Sequence, residues 1–263
     1  MSAYWAIVSA RFRVLLQYRA AAVAGFGTQL FWGLIRVMIF SAFFASTRSP
    51  QPMSREEVLT YVWLGQAMFA LLSLGIDSDI QAMMRSGTVV YELLKPVDVY
   101  WVWFCRSAAL RFVPTVMRGV PVMIVAGLFF QLRLPPSPAS ALACAAALFG
   151  ALILASAMTT IMSVSLIWTI SGLGVTRILP ALIYTLSGII IPIPFFPDWA
   201  QPVLHVLPFR HMVDTPFRLY LGHIPAGQAI PLLVQEAVWA AGLIMLGRWL
   251  LARGARRLVA QGG

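Results

Sequence analysis

A stretch rich in proline and aromatic residues, which directly follows a long apolar run, restricts the fold most. The apolar run 178–191 ends at Pro192, and the residues that follow are still mainly apolar. Proline lacks the N–H that a helix needs, so no continuous helix can cross the stretch. Broken apolar segments are tolerated at membrane depth where they pack against protein or line a cavity. The segment 192–225 is therefore predicted to form a pair of short re-entrant or interfacial helices between two membrane spans.

The composition places the whole chain in a membrane. Hydrophobic residues make up 60% of the 263 residues and charged residues 11%, with a mean hydropathy of +0.83. Soluble domains have about 45–50% apolar and about 25% charged residues. Spans of about 20 residues with short connections use nearly all of this length, so one transmembrane domain, 1–263, is predicted. The net charge of +10 does not favour nucleic acid as a partner, because the cations cluster beside apolar runs, where they set orientation.

The alternation of apolar and polar stretches predicts an all-α membrane protein with six transmembrane helices. An amphipathic helix in the membrane surface is expected first, at 3–19. The third apolar stretch is too long for one straight span, so Pro114 and Pro121 are expected to divide it into an interfacial helix and a span. A short glycine-containing link is expected at 171–177. The predicted spans are 20–45, 58–76, 97–130, 139–167, 178–191 and 226–251.

The basic residues are distributed unequally between the two sides of these predicted spans. If both termini lie on the inner side, eleven cations fall inside and five outside, and an excess of Lys and Arg marks the cytoplasmic side. Cytoplasmic N and C termini are therefore predicted, with the segment 192–225 on the outer face. The inner set is Arg11, Arg13, Arg19, Arg85, Lys95, Arg106, Arg177, Arg248, Arg253, Arg256 and Arg257; the outer set is Arg48, Arg55, Arg133, Arg210 and Arg218.

Four ionisable residues fall within apolar runs, where they are costly and are therefore functional candidates: Arg36, Arg111, Arg118 and Glu236. Arg36 and Glu236 are expected at similar depth and have opposite charge, which suggests an ion pair. The alternative is that Arg36 extends to the surface and Glu236 faces water. Arg111 and Arg118 are seven residues apart and share a helical face. They could contact lipid phosphates, guide an anionic head group, or pair with an aspartate of the 77–98 region.

Two motifs occur on opposite predicted sides of the membrane. The inner segment 77–96 is amphipathic, contains Arg85-Ser86-Gly87 and ends in Leu93-Leu94-Lys95-Pro96. The outer motif comprises Ser187-Gly188, Pro192, Pro194-Phe195-Phe196-Pro197, Trp199, Leu207-Pro208-Phe209 and Tyr220-Leu221-Gly222. Together, over essentially the whole chain, they resemble the permease subunits of type-2 ABC exporters. The resemblance is closest to an uncharacterised bacterial branch with a Ser-Gly … Leu-Leu-Lys/Arg-Pro cytoplasmic motif.

The resemblance implies a role for each motif. The segment 77–96 would hold a coupling helix that docks on a separate ATPase subunit, and an ordinary inner loop is the alternative. The outer segment would be a re-entrant pair that closes the exit path, and a packed lid without a role in transport is the alternative. The implied ATPase-coupling residues are Arg85, Ser86, Gly87, Glu92, Leu93, Leu94, Lys95 and Pro96. The implied residues of the substrate path and outer gate are Ser187, Pro192, Pro194, Phe195, Phe196, Pro197, Trp199 and Pro208.

The resemblance also implies partners. Two ABC ATPase subunits and a second permease, either a related chain or a second copy, would complete an exporter among the lipids of a bacterial cytoplasmic (inner) membrane. The chain has no GxxxxGK[ST] motif and its only lysine is Lys95, so ATP and Mg²⁺ are expected on the partner, and this chain is not expected to be an enzyme. No cofactor or metal is expected on this chain. A path with few charges suggests an amphiphilic or hydrophobic substrate, and export rather than import follows from the resemblance.

Two other classes of membrane protein remain as alternatives. An ATP-independent secondary carrier or channel is the main one, although no internal repeat of inverted halves is visible. An intramembrane serine protease agrees less well, because Thr185-Leu186 precede Ser187-Gly188 where such an enzyme has Gly-x, and no predicted span contains a histidine. Co-purification with an ATPase would separate these classes from an exporter.

Overall fold

The fold is all-helical in a computed structural model that describes residues 3–17, 19–169 and 173–256. Within these ranges there is no β-strand, which confirms the predicted all-α class. Ser171 of the predicted link and Arg257 of the basic tail lie outside the described residues. The helices are α1 (Ala3–Gln17), α2 (Arg19–Ser46), α3 (Arg55–Ala67), α4 (Phe69–Leu72), α5 (Ser78–Ser86), α6 (Val89–Leu93), α7 (Val99–Phe129), α8 (Pro138–Ser165), α9 (Leu173–Leu186), α10 (Gln201–Val206), α11 (Asp214–Leu221) and α12 (Ala229–Ala255).

Four of the described helices are long and apolar enough to cross a membrane. They are α2, α7, α8 and α12, which correspond to the predicted first, third, fourth and sixth spans. The chain is therefore a multi-pass membrane protein. The helix predicted at 3–19 is present as α1, and it packs against α7.

The predicted second and fifth spans are shorter helices. A turn at Met68 separates α3 from α4, and the two together cover only 55–72, whereas a straight span needs about 20 residues. Helix α9 has 14 residues and ends at Leu186, because Gly188 turns the chain with a φ of +89°. Since α9 begins at Leu173, the predicted link at 171–177 is wrong for residues 173–177.

The predicted division of the third apolar stretch is wrong. Helix α7 runs for 31 residues without interruption and contains both Pro114 and Pro121. Each proline removes one backbone hydrogen bond, but neighbouring elements can compensate within a membrane protein. Helix α7 packs against α1, α2, α3 and α8, and this packing holds it in one piece.

Helix α3 lies at the centre of one half of the bundle. All residues from Val58 to Ala67 are buried, and Trp63 has no exposed surface. Glycines let the neighbouring helices approach: a Cβ at Gly33 of α2 would lie 2.5 Å from the Trp63 ring, and one at Gly119 of α7 would overlap the Ala67 carbonyl oxygen. Close approach at small residues is the usual packing mode of membrane helices.

The other half of the bundle is built around α8. This helix presents a row of fully buried alanines, Ala147, Ala151 and Ala155, and packs most extensively against α12 and α11. Gly150 leaves room for the Glu236 carboxyl group of α12, since a Cβ at that position would overlap it. Helix α7 joins the two halves through its contacts with α3 and α8.

Candidate functional site

The segment 77–96 forms two short helices rather than one. Asp77 caps α5 by accepting a hydrogen bond from the Asp79 N–H (2.9 Å), and Gly87 ends α5 in the left-handed region with a φ of +74°. Glycine adopts this conformation without the steric cost that a side chain brings. Helix α6 follows, so the Ser86-Gly87 motif marks the turn between α5 and α6.

An apolar contact and a charge cluster fasten this segment to the bundle. Ile80 and Val89 are buried in a cluster that includes Tyr100 and Trp103 of α7 and Leu251 of α12. One face of the segment is therefore held against the ends of two long helices.

Two arginines meet the aspartates at the start of the segment. Arg11 Nη2 lies 3.1 Å and Arg106 Nε 2.9 Å from Asp77 Oδ2, and both guanidinium groups also bind Asp79. Burial alone would raise the pKa of Asp77, but the hydrogen bonds and charges of Arg106, the Asp79 N–H and Arg11 hold it below its ordinary value. This cluster (Arg11, Asp77, Asp79, Arg106), called the inner clamp below, links α1 and α7 to α5. The aspartate pairing considered above for Arg111 and Arg118 is found for their neighbour Arg106.

The opposite face of the segment is open and apolar in part. The exposed fractions of Tyr91 and Leu94 are 68% and 75%. Glu92 and Leu93 are partly buried, and the Glu92 carboxylate accepts a bond of 2.5 Å from Lys95 Nζ. The other residues implied as coupling contacts are exposed: Arg85, Ser86, Gly87, Lys95 and Pro96.

The outer segment folds back into the bundle. The Asp214 N–H donates to the Ser187 carbonyl oxygen (3.2 Å), which joins the start of α11 to the end of α9. Pro208–Met212 forms a 3-10 helix and is buried together with most of α11, against α8. Tyr61 of α3 packs edge-on against Phe217 of α11, with ring centroids 5.0 Å apart. The second half of the segment is therefore core rather than loop.

The predicted gate residues do not form one cluster. Ser187, Pro192 and Pro208 are buried, and Pro197 and Trp199 are exposed. Pro194, Phe195 and Phe196 are partly buried, and the Phe195 ring meets Phe43 of α2 with centroids 6.1 Å apart. Only Phe195 among the eight lines a cavity described below.

Two adjoining cavities lie along α2, beside Tyr184 of α9 and the residues that follow the end of α9, and together they are called the α2–α9 groove. The smaller has a volume of about 390 Å³ and the larger about 690 Å³, and Trp32, Arg36 and Ile190 line both. Polar groups on the smaller cavity are Thr28, Gln29, Arg36, Gln66, Arg118 and Tyr184. Mainly apolar groups line the larger one, among them Ile35, Ile39, Phe40, Phe43, Ile191 and Phe195. Ligand sites commonly have volumes of about 300–1,000 Å³.

Arg36 and Glu236 are not brought together. Arg36 Nη1 donates to the Ile189 carbonyl oxygen (2.7 Å), whereas Glu236 is buried beside Gly150 of α8. Equal depth fixes only the height of a residue in the membrane, and the two side chains point to different parts of the bundle. The predicted ion pair is therefore wrong.

Arg111 and Arg118 have different surroundings, although they share a helical face. Arg111 is buried between α7 and α8, where it donates to the Ser107 carbonyl oxygen (2.8 Å) and to Thr159 Oγ1. Contact of Arg111 with lipid phosphates is thus excluded in this conformation. The Arg118 guanidinium lies against Gly25 of α2, where any Cβ would overlap it, and faces the smaller cavity.

Charged residues predicted on the inner side form ion pairs with one another at one end of the helix bundle, and those predicted on the outer side do so at the other end. The inner clamp lies at one end, where Arg248 Nη2 also lies 3.1 Å from Asp98 Oδ2. At the other end Arg133 pairs with Glu57, and His223 Nε2 lies 3.2 Å from the same carboxylate. This grouping agrees with the predicted sidedness.

Several site residues were missed from the sequence. Gln29 and Gln66 are polar amides inside apolar runs, which is the signal that could have marked them, because polar groups in membrane helices are costly unless bonded. Tyr61 and Asp214, both buried behind Gly188, carry no such signal, because their proximity arises only from the fold.

A family model described as an ABC-2 family transporter protein matches residues 30–262. No curated protein matches the chain.

Proposed function

The chain belongs to the ABC-2 transporter family, and from this premise we propose that it is the permease subunit of an exporter whose ATPase is a separate chain. As a permease it is a membrane component and not itself a catalyst. ATP and Mg²⁺ bind the partner subunit, and the segment 77–96 transmits ATPase closure to the membrane helices.

The observation that carries this proposal is the two-sided character of the segment 77–96. Ile80, Val89 and the inner clamp fasten one side to α1, α7 and α12, while Tyr91 and Leu94 are exposed on the other. An apolar side chain at the centre of a polar rim is the usual anchor of a protein interface. A segment that is rigid on the bundle side and apolar on the free side suits a docking partner.

The proposed topology has six crossings with cytoplasmic termini in a bacterial inner membrane. The short elements α3–α4 and α9 serve as the second and fifth crossings, and surrounding protein and lipid deformation accommodate their length. The ion pairs that collect Asp98 with Arg248 at one end and Glu57 with Arg133 at the other support this alternation.

The proposed substrate path is the α2–α9 groove. It is open along one side, and exposed apolar residues of α2 such as Phe31 and Ile39 flank it, so we propose that a second permease, a related chain or a second copy, covers it in the complex. The outer segment closes the path at its far end through Phe195 and Phe43. An apolar groove suits an amphiphilic or hydrophobic substrate.

The test is co-purification of the tagged full-length chain in mild detergent, with mass spectrometry of the bound proteins. We expect a P-loop ATPase that is lost in Leu94→Asp, because a charge placed at the centre of an apolar contact costs affinity. The matched control is Leu134→Asp. Leu134 is exposed to 78%, close to the value for Leu94, but lies beside Arg133 at the predicted outer end.

Two outcomes would contradict the proposal. A chain that purifies without any ATPase in several detergents would favour an ATP-independent carrier or channel. An ATPase that is retained in Leu94→Asp would leave the permease assignment intact but remove the segment 77–96 as its docking site. The same preparation shows whether a second, related permease is present.

A further inference from the structure

The smaller cavity of the α2–α9 groove contains polar groups that have no protein partner. Gln29 is 4% exposed and neither of its amide atoms has a hydrogen-bond partner; Gln66 is 2% exposed and its Nε2 is unpartnered. Both residues line this cavity. A buried polar group without a partner costs about 1–3 kcal/mol, so the cavity favours an occupant that accepts hydrogen bonds from the two Nε2 groups and donates one, such as a P–OH, to Gln29 Oε1.

Two arginines face the same cavity without a counter-charge. Among the described residues, neither Arg36 nor Arg118 forms an ion pair, and no Asp or Glu lines the cavity. Arg36 uses one guanidinium nitrogen for the Ile189 carbonyl oxygen, and Arg118 Nε is buried and unpartnered. Charges in a low-dielectric region need a partner, and a guanidinium group binds phosphate or carboxylate through two parallel hydrogen bonds.

The packing of α2 holds Arg118 in this position. Its guanidinium lies where a side chain at residue 25 would be, so Gly25 gives it room beside the helix backbone. The absence of a side chain at Gly25 therefore allows the Arg118 guanidinium to lie at the cavity wall instead of extending along α7 toward the membrane surface.

The neighbouring cavity supplies an apolar compartment. Arg36 and Trp32 stand at the boundary, and beyond them the larger cavity is lined mainly by isoleucine and phenylalanine. A compact cationic and amide-lined chamber that opens into an apolar one matches a molecule with an oxyanion head and an apolar tail.

We propose that the α2–α9 groove binds an anionic amphiphile, with its phosphate or carboxylate head between Arg36, Arg118, Gln29 and Gln66 and its tail in the larger cavity. Transport of this molecule rests on the proposed function; its binding does not. The proposal narrows the substrate from amphiphiles in general to those with an oxyanion head.

The test measures binding of radiolabelled dodecyl phosphate to the full-length chain, purified with its subunits in a neutral maltoside detergent. We expect saturable binding that excess inorganic phosphate, or dodecyltrimethylammonium of equal tail length, displaces poorly. Arg36→Gln and Arg118→Gln should each weaken binding about tenfold or more, because a charge-assisted bidentate contact is lost. Arg133→Gln, which removes an equal charge at the predicted outer end, should leave binding unchanged.

A second pair of variants keeps both arginines and so avoids the question of whether their removal disturbs folding. In Gly25→Ala the new methyl group takes the place of the Arg118 guanidinium, and we expect weaker binding. In Gly27→Ala, two residues along the same helix, the Cβ meets no atom within 4 Å, and binding should stay at the level of the unchanged protein.

Two displacement results, and a failure of dodecyl phosphate to bind, would overturn the proposed binding site. Equal displacement by dodecyltrimethylammonium would mean that the tail alone binds, and equal displacement by inorganic phosphate would mean that the site takes a free anion. A phospholipid that co-purifies at one per chain and is not released during ATP turnover would leave the binding site intact but make the groove a resident-lipid site rather than a transport path. If an ATPase co-purifies but dodecyl phosphate does not bind, this inference fails alone; if dodecyl phosphate binds but no ATPase is found, the site stands and the exporter assignment fails.

Discussion

Replacing Gly33 with alanine should reveal how tightly α2 packs on the buried helix α3. The new Cβ would lie 2.5 Å from the nearest ring atom of Trp63, and ordinary contact begins at 3.4 Å. The indole cannot swing aside, because it is fully buried and its ring packs on Phe130 with centroids 4.8 Å apart. The helices must therefore separate by most of an ångström.

Overpacking of this kind costs about 1–3 kcal/mol. Gly27→Ala is the matched control, because it lies on the same helix and its Cβ meets no atom within 4 Å. Any gain in helix propensity from glycine to alanine, up to about 1 kcal/mol, is common to both variants and cancels in the comparison. At roughly 2–4 °C per kcal/mol for a chain of this size, Gly33→Ala should lose its fold about 2–12 °C below Gly27→Ala.

Size-exclusion chromatography of a fluorescent-protein fusion after heating follows this chain alone, even when other subunits are bound. The measured quantity is the temperature at which half of the monodisperse peak is lost. Adding Trp63→Phe to Gly33→Ala should recover part of the loss, since the smaller ring leaves room for the methyl group. Equal temperatures for the two alanine variants would refute the close approach of α2 and α3.

Three further predictions concern the ends of the bundle. Asp77→Asn should destabilise the chain by about 3–5 kcal/mol, because the Asp77 side chain is 2% exposed and Arg11 and Arg106 lose its buried negative charge as a partner. Asp79→Asn should cost about 1 kcal/mol or less, because the Asp79 side chain is 56% exposed. Thermal unfolding of the two fluorescent-protein fusions measures the difference. The pKa of Asp77 is lowered in the folded chain, so its contribution to stability is complete above the ordinary value of 3.8 and is lost as the pH falls through the folded pKa; the unfolding temperature should fall more steeply in acid for the unchanged chain than for Asp77→Asn. Gly222→Ala should cost about 1–2 kcal/mol, because Gly222 has a φ of +78° and the Cβ would crowd Pro136, while Gly227→Ala, which meets no atom, should be neutral in the same unfolding measurement.

The long helices were predictable because they face lipid over much of their length and must be apolar to do so. The ends of α3 could not be predicted in the same way. Protein covers this helix on all sides, so it can be shorter than a lipid-facing span and can contain the polar residues Thr60 and Gln66. The continuity of α7 could not be read from Pro114 and Pro121, since the cost of each proline is offset by tertiary packing.

The candidate site was predictable in part for a similar reason. The run 85–96, which is exposed on one face, carries a local motif, and the amphipathic pattern of the segment 77–96 indicated helix but not its division into two helices at Gly87. The partner of Arg36 could not be predicted, because counting residues gives the depth of a side chain in the membrane but not its direction around the helix axis. The observed partner is the carbonyl oxygen of Ile189. The positions of Gln29 and Arg118 around one cavity depend on how α2 and α7 cross.

The complete burial of α3 has a consequence for how the chain is made. During synthesis α3 leaves the ribosome before α7 and α11, which later cover it. Until α7 and α11 are made, the polar side chains of Thr60 and Gln66 on this short helix are surrounded by lipid or by insertion factors, and lipid offers them few hydrogen-bond partners. If α3 serves as the proposed second crossing, we expect it to become stably placed only after α7 has been made, and not as an independent hairpin with α2.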